Sequence, residues 1–281
     1  MEVDKELKTE LGNIQRTSAG LIKLLNQFER LSAKPEENAY KLDDLLSQMK
    51  KLSDGVGTEG TIPRLKSWLD GRATQVSTLK NRFKHEFARR LQELLREKGF
   101  ELGGHYPDLK AKFYTIHVDF SKGSAALSFG HETVRGRIPL APGSVLKAVE
   151  AADQALNRSF DPVKFISGLY AAYGRVGRIR DVPPGEKVPI IEVLQQLVFL
   201  LQPSTFLADP TKEHFRGYGR AHFGYDLYRL RLSGARTQEG QSVGLSTATF
   251  DATRKRENFI WVPDNERGDG TTYSLIFFRK G

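Results

Sequence analysis

The chain contains no cysteine. Disulfide stapling, thiolate zinc sites, iron–sulfur clusters and cysteine nucleophiles are therefore excluded. A cysteine-free chain fits a reducing compartment, and a cytoplasmic location is the expectation. Long apolar runs are lacking too. The most apolar stretch, Val188 to Leu201, is interrupted by Glu192, Gln195 and Gln196. It is too short for a membrane span and reads as a buried core helix, so no membrane partner is expected. The first residues, MEVDKELKTEL, are charged and helical in pattern, with no signal-peptide stretch. Several chemical signatures are missing as well. There is no GxxxxGKS phosphate loop, no GxSxG elbow and no HExxH helix, and Gly217 and Gly219 miss the dinucleotide spacing. The reading is non-catalytic, with no cofactor and no resident metal.

What is present describes a folded chain. Its 281 residues are 39% hydrophobic and 27% charged, with 17 Phe and 9 Tyr, a richer aromatic content than disorder allows. The net charge of +9 favours polyanionic partners. That charge is uneven. Residues 1–60 hold nine Lys/Arg against eleven Asp/Glu, whereas residues 64–98 hold ten against four.

The first hundred residues carry helical periodicity. Leu7, Leu11, Ile14, Ser18, Leu21, Leu25 and Phe28 follow alternating spacings of four and three, an a/d seam with one polar position. A helix from Val3 to Leu31 would be about 45 Å long. Pro35, Glu36 and Glu37 signal a second helix start, and Leu42, Leu45, Leu46, Met49 and Leu52 supply its apolar face. Ser53 to Gly60 is a break. A third helix runs from Pro63 to Lys98, with Leu65, Leu69, Val76, Leu79, Phe83, Phe87, Leu91 and Leu94 on one stripe and Gly99 as its stop. Its cations, including Arg72, Lys80, Arg82, Lys84, Arg89 and Arg90, are best matched to acids such as Asp43 and Asp44 on the second helix.

From Gly103 the texture changes. Phe113 to Phe120 alternates, SKGS turns the chain, and Ala125, Leu127 and Phe129 continue the apolar face of a hairpin. Helices are expected at Pro142–Asn157, Pro162–Tyr173 (capped by Asp161), Val188–Leu201 and Arg220–Leu232. Strands return at Val243–Phe250, Phe259–Val262 and Tyr273–Phe278. The segment RVGRIR, Arg175 to Arg180, reads as an exposed basic loop, and Gly99 to Pro107 as a hinge. The predicted fold is α+β. An N-terminal antiparallel helical bundle or coiled coil, residues 1–99, precedes a basic α+β domain, residues 100–281, with an antiparallel sheet.

The leading candidate site is Lys212 to Arg236, where six basic residues alternate with Phe215, Tyr218, Phe223, Tyr225 and Tyr228. Arginine interleaved with aromatics suits phosphate clamping and base or sugar contact. In this reading Arg216, Arg220, Arg229 and Arg231 meet phosphates, and Tyr218 and Tyr225 stack. Arg254, Lys255 and Arg256 reach in from a hairpin at DATRKRE. A helix in the groove followed by a basic wing would be winged-helix-like. A second constellation, His117, Asp119, His131 and Glu132, has the donor types for a divalent metal in phosphodiester hydrolysis, but its spacing matches no established pattern. The expected function is thus a nucleic-acid-binding accessory subunit, contacting DNA or RNA through its backbone. Residues 1–32 would mediate self-association or partner docking, giving a homo-oligomer or a complex. The alternatives are a scaffold subunit indifferent to nucleic acid and a metal-dependent nuclease.

Overall fold

The computed structural model describes residues 5–54 and 61–280, the side chains of residues 5–8, 10 and 61–63 aside. The fold is mixed α and β with antiparallel sheets, and the chain forms two compact units. The first contains residues 1–94 with two short segments, 119–124 and 139–143; the second contains the remainder.

Three helices make up most of the first unit: α1 (Lys5–Leu31), α2 (Ala39–Ser53) and α3 (Thr61–Glu97), whose last residues belong to the second unit. The α1–α2 connection is tied down by local bonds. Ser32 Oγ donates to the Phe28 carbonyl at 2.8 Å, and Asn38 Nδ2 donates to the carbonyls of Leu31 (3.2 Å) and Lys34 (3.1 Å). These side-chain bonds add to the backbone bonds Ser32 N to Phe28 O and Asn38 N to Lys34 O, and together they close the connection before α2 begins at Ala39. Leu21, Leu24 and Phe28 of α1 share one core with Leu42, Leu45, Leu46 and Met49 of α2 and with Leu69 and Val76 of α3. The a/d seam of α1 therefore divides. Its second half is core, whereas Leu11 (58% exposed) and Ile14 (47%) face outward; Leu7's side chain lies outside the described residues.

Charge matching within this unit is visible. Lys80 Nζ reaches Asp43 at 2.6 Å and Arg82 reaches Glu36 at 3.1 Å, while Arg89 is held by Glu86 and Glu93 on its own helix. Such exposed pairs contribute at most about 1 kcal/mol each, so they orient the helices more than they hold them. The segment 119–124 brings Phe120 against Tyr40, with ring centroids 5.2 Å apart and nearly parallel, and edge-on to Phe83 and Phe87.

The second unit opens with a five-stranded antiparallel meander: β1 (Leu102–His105), β2 (Asp108–Ala111), β3 (Tyr114–Asp119), β4 (Ser124–Phe129) and β5 (Glu132–Pro139). Leu109, Ala111, Tyr114, Ile116, Val118, Ala125, Leu127 and Phe129 form its buried face. Residues 102–105, expected to act as a hinge, pair with β2 from Leu102↔Ala111 to His105↔Asp108. Their glycines hid this edge strand, because β1 is stabilised by its ladder and has almost no side-chain pattern.

Then come α4 (Pro142–Leu156), α5 (Pro162–Arg180), β6 (Val188–Pro189), α6 (Ile190–Leu200), α7 (Ser204–Ala208) and α8 (Arg220–Ser233). Asp161 caps α5, accepting from Val163 N at 3.0 Å and Lys164 N at 3.1 Å. The RVGRIR segment is not a loop; it is the end of α5. Leu169, Ala172, Tyr173 and Val176 keep a buried face going, and that packing outweighs the helix-weakening Gly174 and Gly177.

The chain closes with β7 (Gln241–Thr247), α9 (Phe250–Thr253), β8 (Ile260–Pro263) and β9 (Gly270–Lys280). Strand β9 pairs antiparallel with β6, β7 and β8. The DATRKRE segment forms no hairpin wing: Thr249 Oγ1 accepts from Ala252 N at 3.3 Å, capping a single helical turn, and Arg256–Asn258 form a 3-10 turn. Among the described residues, no helix is long and apolar enough to cross a membrane.

Candidate nucleic-acid interface

Helix α8 carries Arg220, Tyr225, Arg229 and Arg231, the residues expected to meet a strand. Yet Phe223, Gly224, Tyr225, Asp226, Leu227, Tyr228 and Leu230 are all buried, so apolar contact surrounds most of the helix. Tyrosine explains the difference. Its ring packs like phenylalanine while its hydroxyl finds a partner inside. Tyr218 and Tyr225 are each only 7% exposed. Tyr218 Oη donates to Asp226 Oδ2 at 2.9 Å, and Tyr225 Oη donates to Asn157 Oδ1. As placed, neither ring presents a free stacking face.

The arginines of this segment are largely committed within the fold. Asp226 is the hub of the first network. Its carboxylate accepts from Arg158 Nη2 at 3.0 Å, from Arg229 Nη2 and from Tyr218. Glu132 is the hub of the second, accepting from Arg220 Nε at 2.6 Å and from Arg256 Nη2, while Arg220 Nη2 also donates to the Phe259 carbonyl. Arg231 binds Asp264 at 3.2 Å and the Pro263 carbonyl. Burial alone would raise the Glu132 carboxyl, but the bonds from Arg256 and Arg220 outweigh it and hold the carboxyl below its ordinary value of 4.5.

A depressed carboxylate adds stability above its unfolded pKa and loses it as pH falls through the folded value. Glu132→Gln is accordingly expected to unfold more easily than the parent at pH 7, with the difference shrinking below pH 4.5 as Glu132 itself is protonated. Urea midpoints measured across pH 3–7 check this; a gap independent of pH would refute the assignment.

The remaining cations point outward. Arg254 is 67% exposed with a long 3.7 Å pair to Asp251, Lys255 is exposed, and the side chain of Arg216 has no ion-pair partner among the described residues. Beside them stands a residue that the sequence pattern does not single out. Phe250 is 77% exposed, and the Arg254 guanidinium lies 5.2 Å from its ring centroid. A second aromatic was also missed. Phe277 on β9 lies across Gly244 of β7, where a Cβ would meet the ring at 2.3 Å, so a larger residue there would push the ring aside. Lys187 (5.7 Å) and Arg279 (5.4 Å) flank this ring. The period-two alternation of Phe277 and Arg279 on one face of β9 was the available signal.

The proposed metal donors have other partners. Asp119 accepts from Ser121 Oγ at 2.5 Å and from Lys122 N at 3.0 Å, bonds that hold its carboxyl down at about 2. His131 sits edge-on to Phe259, with centroids 5.2 Å apart, and Glu132 is clamped as above. Among the described residues, no three His, Asp or Glu side chains are grouped to hold a metal ion.

His117 makes a different arrangement. Its Nδ1 lies 2.6 Å from Asp108 Oδ1 and its Nε2 lies 2.7 Å from Ser128 Oγ, a carboxylate–imidazole–hydroxyl line across β2, β3 and β4. Because an ionised carboxylate only accepts, Nδ1 donates to Asp108, and the neutral ring then accepts from the serine at Nε2. This is the connectivity of an acyl-transfer triad, but chemistry also requires a cleft and donors for the oxyanion. Asp108 and His117 are half exposed (55% and 48%), but Ser128 is buried at 5%, so the hydroxyl that would attack is not open to a substrate. The line serves to satisfy the Ser128 hydroxyl within the sheet.

Of the cations in RVGRIR, Arg180 is bound to Glu192 through Nε at 2.6 Å and through Nη2. Arg178 and Arg180 occupy the last turn of α5, where cations meet the negative end of the helix dipole. No family model, curated protein or solved structure matches the chain.

Proposed function

We propose that this protein is a non-catalytic nucleic-acid-binding accessory subunit whose contact surface is narrower than the sequence suggested. The observation that carries the reading is Phe250, 77% exposed, stacked by Arg254 and followed by the exposed Lys255. An aromatic ring open to solvent beside exposed cations suits base stacking with phosphate neutralisation, a combination that favours single strands over a duplex. Phe277 with Lys187 and Arg279 offers further cations and a second ring of the same kind. Arg220 and Arg229, with Tyr218 and Tyr225, support the surface from inside, and the exposed Arg231 is engaged by Asp264 and the Pro263 carbonyl. Self-association or partner docking through residues 1–32 belongs to the same proposal, resting on the outward Leu11 and Ile14 of the a/d seam.

The test is fluorescence polarisation of a labelled single strand over a salt series. Arg254→Glu with Lys255→Glu is expected to weaken binding and reduce the slope of log affinity against log salt by roughly 0.7 for each phosphate no longer neutralised. Phe250→Ala should weaken binding with little change in slope, since stacking contributes about 1–3 kcal/mol per base without charge. If the parent binds neither strand nor duplex at low salt, the proposal fails.

A further inference from the structure

One cavity in the second unit collects more positive charge than its own carboxylates neutralise. It has a volume of about 260 Å³, and its walls carry Arg158, Lys164 and Arg216 against the carboxylates of Asp161 and Asp226, with Tyr218 beside them. Asp226 is already shared between Arg158 and the adjoining Arg229, with Nη2 of Arg158 at 3.0 Å. One buried negative charge therefore faces two guanidiniums. Lys164 stands 3.7 Å from Asp161, whose other oxygen is spent on the backbone at the start of α5. Arg216 adds a further charge with no ion-pair partner among the described residues.

Position sharpens the imbalance. The cavity lies at the first turn of α5, whose N–H groups are capped by Asp161 but whose helix dipole is positive and disfavours cations. Gathering Arg158, Lys164 and Arg216 there is explained if an anion joins them. The neighbouring His222 senses the same field: burial first, and then Arg158 and Arg216, push its ring toward the neutral form.

One guanidinium is held in place in advance, and the backbone that carries another is fixed. The Arg158 guanidinium lies 4.8 Å from the Tyr218 ring centroid. The backbone of Arg216 is locked by the buried Gln202 amide, which accepts from Arg216 N at 2.8 Å and donates to its carbonyl at 3.1 Å. With five N–H donors per guanidinium, Arg158 keeps several to spare after binding Asp226. Size selects the ligand, because cavities for drug-sized molecules start at about 300 Å³ and this one is smaller.

We infer that this cavity binds a phosphate monoester, either the terminal phosphate of a nucleic acid or a small phosphorylated molecule. The inference goes beyond strand binding at Phe250 and does not depend on it.

The test compares 5′-phosphorylated with 5′-hydroxyl oligonucleotides of one sequence on the full chain, alongside thermal melting with inorganic phosphate and with glycerol phosphate. The expected result is about tenfold tighter binding of the phosphorylated strand, the worth of one charge-assisted contact. Arg216→Ala, which removes an exposed side chain, should erase that preference while leaving the melting temperature of the free protein unchanged. If the two strands bind alike but glycerol phosphate raises the melting temperature, and Arg216→Ala cancels the rise, the ligand is a small monoester and the inference stands. Equal strand affinities with no effect of either phosphate would overturn it, even where both strands still bind through residues 250–256. Retention of the preference by Arg216→Ala would overturn it as well.

Discussion

Replacing Asp226 by Asn is expected to destabilise the second unit by about 3–5 kcal/mol, the range for breaking a buried ion pair from one side. The carboxylate is 4% exposed, and the guanidiniums it serves, Arg158 and Arg229, are 22% and 17% exposed. Asparagine keeps the shape and one acceptor but removes the charge. Two cations would then remain partly buried without an anion, and the Tyr218 hydroxyl would lose its carboxylate partner. For a unit of this size the loss corresponds to a fall in melting temperature of about 10 °C. Phosphate should recover part of that loss if the adjoining cavity binds it, because a ligand specific to the folded state stabilises by mass action. A melting temperature within 2–3 °C of the parent, equivalent to about 1 kcal/mol, would mean that Asp226 is not the hub described.

The second large effect concerns Gly224, and here two physical arguments give opposite signs. Gly224 lies inside α8, so helix propensity alone predicts that alanine stabilises by about 1 kcal/mol. A Cβ at this position would, however, meet the Trp261 carbonyl oxygen at 2.2 Å and Ile260 Cγ2 at 3.5 Å. The first of these is backbone of β8 and cannot rotate aside. Helix and strand would have to separate, and overpacking of this kind typically costs about 1–3 kcal/mol or more. The net expectation is a loss of about 2 kcal/mol for Gly224→Ala. Gly71 in α3 is the control, since a Cβ there meets nothing within 4 Å. Gly71→Ala should stabilise by up to about 1 kcal/mol. Equilibrium unfolding in urea of both variants decides the matter: stabilisation of both would show that α8 does not approach β8 so closely.

Two carboxylates show what kind of information a linear reading misses. In the sequence Asp226 is a partner for a nearby arginine, and Arg229, one helical turn away, is indeed one. Arg158 is not foreseeable, because it stands 68 positions earlier and reaches the carboxylate only once α8 is packed. Glu132, beside His131, has the chemistry of a metal donor. Its partners are instead Arg220 and Arg256, 88 and 124 positions away. Both carboxylates consume the very arginines that the sequence offers to phosphate.

The amino-acid sequence by itself determined the long helices, the break between the first two and the β3–β4 hairpin; its break at residues 53–60 lies largely outside the described residues. Apolar spacing and turn residues act over a few residues, so Leu21 to Phe28, Leu42 to Met49 and the β3–β4 hairpin could be placed without the fold. It also determined the surplus of positive charge and the absence of thiol chemistry. Only the tertiary structure decided which charges remain outside. Burial and pairing are relations between distant segments. A run of arginine and tyrosine reads identically whether it faces solvent, as Arg254 and Lys255 do, or packs inside, as Tyr225 and Arg229 do. The folded chain moved the candidate surface from the centre of α8 to Phe250 and its neighbours. It also gathered Arg158, Lys164 and Arg216 around one cavity whose two carboxylates, Asp161 and Asp226, do not balance them once Asp226 is shared with Arg229.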